Sequence, residues 1–334
     1  MLTRTDESDL IDDIKDGIGI ALERRGASAK SIDSIKLNKL VYLAVMRLDI
    51  PITFGWYKYG PAPVDLHYSE SAVTAKSKEE CDAPHGSRLP ERDYYSPVEY
   101  SYFFGDELTE FETILQAPTK EFLISFYERE APEQYRELYM RNARLQQIID
   151  EIKTDDTWHE SADSYYREIS RRVGELAREL MQIESLREVQ NPFRQYARFL
   201  KTLFANASTL NSLSASQQQL IKRVIQYYYG GAWKYVALKI SENTVHLSPG
   251  HNQEKLITSI ENERQELRSE YEADLERFTQ RAIVLQIIEQ EQENSGDAST
   301  EQADVKYKHS ELWTKASAEA WSNDYNKGVR NVDK

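Results

Sequence analysis

Cysteine is almost missing from this chain: Cys81 is the only one among 334 residues. A single thiol cannot close an internal disulfide, which fits a reducing compartment. Nor can it complete an ordinary structural zinc site, which draws on several thiolates and imidazoles. Its neighbours, "KEECDAPHGS", supply no basic helix end to activate it, so Cys81 reads as an incidental thiol. Long apolar runs are missing too. Nowhere do about 18 apolar residues follow one another, as a membrane-spanning helix requires. The N-terminus, "MLTRTDESDLIDDIKDG", has no signal-peptide core. These absences predict a cytoplasmic protein without membrane contact.

Positive charge is in short supply. There are 42 basic against 56 acidic residues, a net charge of −14. Such a molecule repels phosphate backbones as a whole, which argues against general nucleic-acid binding. Adaptation to a salty host would give the same bias whatever the ligand, because salt screens it. Catalytic patterns are absent as well. The histidines at 67, 85, 159, 246, 251 and 309 are scattered and form no HExxH pair. His246 and His251 flank "LSPG" and read as turn residues. Gly17 and Gly19 make a lone GxG inside a helical pattern, not after a strand, so they form no phosphate loop. Acid pairs such as Asp12–Asp13 and Asp155–Asp156 read as solvated faces. The expectation is a protein that is not an enzyme and carries no metal or cofactor.

What is present is helical rhythm. Leu10, Ile14, Ile18 and Leu22 stand four apart, with acids early, arginines late and Gly26 as a stop. A second helix runs from near Ser31 to before Pro51, burying Leu37, Leu40, Val41, Ala44, Val45 and Leu48. "ITFGWYKYG" then reads as a strand, and residues 77–98 as a long surface loop. From about residue 106 long helices take over, with a break near Pro118. Tyr135, Leu138, Asn142, Leu145, Ile149 and Ile152 form one heptad seam, with a polar Asn inside it. Tyr166, Ile169, Val173, Leu176, Leu180 and Ile183 form another. A third helix over 254–293 carries an eleven-residue rhythm. Between the last two, 192–206 and 214–229 read as helices and "WKYVALKISENTVHLSPG" as a hairpin, the order of a small winged-helix unit.

The predicted fold class is therefore mainly α. A compact N-terminal helical domain with a small β element spans 1–105. Long helices of a bundle or coiled-coil arm fill 106–293, with the helix–helix–hairpin insert at 192–250. Residues 294–334 begin with linker composition and read as a flexible tail in which Trp313 and Trp321 mark a short amphipathic piece. Paired long helices could also join two copies into a homodimer.

One stretch stands apart: "KLNKLVYLAVMRLDIPITFGWYKYGPAPVD", residues 36–65. Lys36, Leu37, Lys39, Leu40, Tyr42 and Ala44 lead through a spacer to Trp56, Tyr59, Gly60 and Pro61. This Lys-Leu-x-Lys-Leu helix and Trp-x-x-Tyr-Gly-Pro corner resemble the Panacea antitoxin-type domain of SocA-like antitoxins, over roughly residues 31–70. The likeness implies a non-catalytic module that binds and neutralises a partner protein, usually a toxin encoded next to it. On the residues themselves, Lys36 and Lys39 share a helix edge. Trp56 and Tyr57 should point to opposite faces of a strand, one packed and one exposed. Gly60 permits a tight turn and Pro61 should end any pairing. The candidate partner-binding residues are Lys36, Lys39, Trp56, Tyr57, Lys58, Tyr59, Gly60 and Pro61. The second reading is a winged-helix-type DNA-binding regulator. In its favour, residues 1–60 hold nine acids and nine bases, so this part is neutral in an acidic chain.

Overall fold

The computed structural model describes residues 4–27, 32–63, 94–210 and 212–288. Among the described residues the fold is mainly helical with one two-stranded sheet, and mainly α is what the sequence pattern predicts. Helix α1 (Arg4–Arg24) buries Leu10, Ile14, Ile18 and Leu22, the stripe spaced by four. It stops where Gly26 takes a φ of 62° and the Ala27 amide turns back to the Leu22 carbonyl. Helix α2 (Ser34–Leu48) starts at Asp33, whose carboxylate accepts from the Lys36 amide at 2.8 Å.

Strands β1 (Phe54–Tyr57) and β2 (Gly60–Pro63) form an antiparallel hairpin. Pro61 does not end the pairing: it sits opposite Trp56 inside the ladder. In a two-stranded sheet β2 is an edge, where the missing amide of proline can face away from the partner strand. The next described helix, α3 (Pro97–Tyr102), is opened by a reciprocal Ser96–Glu99 capping box. It packs on α1 so closely that a Cβ on Gly17 would lie 2.4 Å from Tyr100 Cβ. That contact accounts for a glycine in the lone GxG of α1.

A π-turn (Phe103–Glu107) leads to α4 (Phe111–Gln116) and α5 (Thr119–Glu130), separated at Pro118 as expected. Helices α6 (Glu133–Thr154), α7 (Ala162–Gln182) and α8 (Arg187–Thr209) then pack neighbour on neighbour. Their heptad seams face this bundle: Leu138, Asn142, Leu145, Ile149 and Ile152 are buried on α6, and Ile169, Val173, Leu176 and Leu180 on α7. Helix α9 (Ala215–Tyr227) follows, capped by Ser214.

The expected hairpin at 233–250 is corrected. Residues Trp233–Thr244 form helix α10, and Val245–Leu247 a short 3-10 turn. Trp233, Val236, Ala237, Ile240, Ser241 and Thr244, three or four apart, are buried on it, which is a helical period. With no hairpin there, the winged-helix insert does not form, although its two helices correspond to α8 and α9. Helix α10 packs against β1, α8 and α11 (Gln253–Val284). One continuous apolar core runs from Leu10 to Ile287, across the boundary expected at residue 105. No described helix is long and apolar enough to cross a membrane. Most of the loop expected at 77–98, Cys81 and the whole tail at 294–334 lie outside the described residues.

Candidate partner-binding site

The motif closes on itself in space. Helix α2 directs Lys39 towards the corner, where its ammonium nitrogen donates to the Pro61 carbonyl at 3.0 Å. Three residues earlier, Lys36 donates to the Leu115 carbonyl at 3.1 Å. The helix spacing put both lysines on one edge as partner-contact residues; instead both are buried. Lys36 is 5% and Lys39 1% exposed. Burial pushes the Lys39 amine down to about 7, against a smaller opposing pull from the Asp33 carboxylate. Its nitrogen lies over the ring of Phe126, 5.7 Å from the centroid.

Gly60 turns the corner at a φ of 91°, a conformation L side chains rarely adopt. A Cβ there would also come within 2.9 Å of the Tyr127 ring. Glycine is thus required twice, by backbone angle and by the ring above it.

Trp56 and Tyr57 do not divide between core and solvent; both are buried. The Trp56 ring meets Tyr42 at 5.8 Å and Tyr139 at 5.3 Å, edge to face. Its backbone amide donates to Thr244 Oγ1 at 3.2 Å. Tyr57 reaches the other way, its hydroxyl donating to Glu263 on α11 at 3.3 Å. The hairpin backbone is gripped as well. The Tyr139 hydroxyl donates to the Tyr57 carbonyl at 2.8 Å, and Trp233 Nε1 to the Lys58 carbonyl at 2.8 Å. Helix α2 packs on β2 and α10 on β1, so the sheet has no free face.

Of the eight candidate residues, only Lys58 and Tyr59 are partly exposed, at the hairpin tip; Pro61 and Gly60 are buried with the rest. Lys58 lies 5.5 Å over the Tyr57 ring. Burial first, then the neighbouring Lys234, lowers its amine to about 8, while Glu263 acts in the opposite sense. Lys234 pairs with Glu263 at 2.7 Å. Tyr59 packs on Tyr229 with centroids 6.3 Å apart. Burial, and secondarily Asp150, pushes its phenol up to about 12. The tip therefore presents one lysine and one tyrosine, backed by Lys234, Glu263 and Tyr229.

Sequence reasoning missed the other half of this cluster: Phe126, Tyr127, Tyr139, Trp233 and Thr244. The only signal was the three-and-four spacing in 233–244, hidden by β-branched and aromatic residues. Among the described residues no group of three or more His, Cys, Asp or Glu side chains is placed to hold a metal ion.

The fold and the buried corner define a helical protein built around one keyed hairpin. A family model described as a domain of unknown function (DUF8098) matches residues 1–87 and 65–309, and the chain belongs to that family. No curated protein and no solved structure matches it.

Proposed function

We propose that this chain is a non-catalytic protein-binding module of antitoxin type, which binds and neutralises a partner protein encoded beside it. The observation that carries the reading is the bond from Lys39 to the Pro61 carbonyl. It joins the two halves of the motif, the lysine–leucine helix and the Tyr-Gly-Pro corner, into one unit. That is what a resemblance over the whole motif, and not over two unrelated fragments, requires. Because the unit is buried, the contact surface is its tip, Lys58 and Tyr59. Tyrosine supplies large, rigid contact area at low entropic cost, and such residues dominate binding hot spots.

The test is co-expression with the product of the adjacent gene. A toxic neighbour whose growth arrest is relieved, and which co-purifies in fixed stoichiometry, supports the reading. Tyr59→Ala should then weaken the complex by about 2 kcal/mol while leaving the melting temperature nearly unchanged. The affinity should fall only gently with salt. A steep log–log loss would indicate phosphate contacts and favour the DNA-binding reading. No rescue and no complex would sink the proposal.

A further inference from the structure

A carboxylate is buried where, among the described residues, no cation pairs with it. Glu7, the fourth residue of α1, is 3% exposed. One of its oxygens, Oε2, accepts from the Thr53 amide at 2.9 Å. The other, Oε1, accepts from Thr53 Oγ1 at 3.0 Å, Asn252 Nδ2 at 2.6 Å and the His251 amide at 3.3 Å. The hydroxyl of Thr53 in turn accepts from the Asn252 amide at 2.9 Å, which orients it to donate to Glu7.

All four donors are neutral, and they come from two segments remote from α1. Thr53 directly precedes β1, and Asn252 precedes α11, a helix of 32 residues. Convergent amides with a hydroxyl are how proteins hold anions. Charge-assisted hydrogen bonds of this kind are about twice as strong as neutral ones.

We propose that Thr53, His251 and Asn252 form a carboxylate seat, filled from within the chain by Glu7, which latches α1 to the entry of the hairpin and to the start of α11. The ligand class is a small carboxylate. In the intact chain Glu7 is tethered, so its effective concentration exceeds that of a free competitor and the seat stays closed. Removing the side chain beyond Cβ deletes a fragment of the size and charge of acetate, and acetate should be able to take its place.

The experiment uses the full chain. Glu7→Ala should lower the melting temperature by roughly 5–10 °C. Acetate, titrated against chloride at constant ionic strength, should restore at least half of the loss and then saturate, while the unsubstituted protein does not respond. No recovery in the variant, or equal shifts in both proteins, overturns the seat. Should Glu7→Ala fail to fold, Glu7→Gln and Asn252→Ala carry the test. Acting on one seat, together they should lower the melting temperature by less than their separate effects combined; strictly additive losses overturn it.

Discussion

Lys39 shows how far a single residue can depart from its habitual place. Lysine is almost never fully buried unless paired, yet here it is 1% exposed, its nitrogen over the Phe126 ring and given one carbonyl. The consequence is a pH dependence whose direction is fixed. The folded amine sits at about 7 against 10.5 when exposed. Between those values the unfolded chain binds the extra proton, so stability rises as pH rises through the window. Below about 7 both states are protonated and the cost of burying Lys39 is fully present. Tyrosines interfere near pH 10, so the clean range ends at about 9.5. There the unsubstituted protein should gain up to roughly 1.4 kcal/mol per pH unit over Lys39→Met. Lys58, lowered to about 8, titrates in the same sense but is common to both proteins. Urea denaturation of the pair across the range is the measurement, and parallel pH profiles would show the folded amine to be charged.

At the scale of elements, what could be read from sequence followed one condition: a helix or strand with one wet face declares itself. Helix α1 has such a stripe, Leu10 to Leu22, and its end at Gly26 was visible. The seams of α6 and α7 were visible for the same reason. Helix α10 was not, because Tyr235 and Leu238 are buried along with Trp233, Val236 and Ile240, leaving little polar face to set the period. The hairpin failed by the same logic. Alternation predicts one exposed neighbour for Trp56 and Tyr57, but helices cover both faces of the sheet. Nor could the burial of Lys36 and Lys39 be foreseen, since their acceptors are carbonyls at Leu115 and Pro61. The closeness of β1 to α10 gives a test of this packing. A Cβ on Gly55 would fall 2.0 Å from Ser241 Oγ. Gly55→Ala should therefore cost roughly 1–3 kcal/mol, as overpacking does. Adding Ser241→Ala removes the clashing oxygen and should recover about half of it, a coupling read from a double-mutant cycle. Independent effects would mean that strand and helix do not touch at this point.

For the molecule as a whole, the question is whether the N-terminal hairpin and its two helices can stand without the helices that follow them. The chain wraps its N-terminal hairpin with groups from far along the sequence. Trp233 Nε1 holds the Lys58 carbonyl, Thr244 Oγ1 the Trp56 amide, and Tyr139 the Tyr57 carbonyl. Asn252 closes on Glu7, and Glu263 on Tyr57. Without these partners a fragment of residues 1–105 would expose the rings of Trp56 and Tyr57 and leave Lys39 and Glu7 beside newly wetted apolar surface. A two-stranded hairpin is marginal by itself, and unsatisfied backbone groups at its carbonyls would cost about 1–3 kcal/mol each wherever water could not reach them. The expected outcome is that 1–105 made alone shows no cooperative thermal transition. The full chain should unfold as one unit, with tryptophan fluorescence and far-ultraviolet circular dichroism tracing the same curve. Co-expression of 1–105 with 106–334 as separate chains should restore a folded complex, because these contacts are non-covalent and need no chain link. A sharp transition in the short fragment would place the stability of the corner within α1, α2 and the hairpin, and would make α10 and α11 an addition to a module already complete.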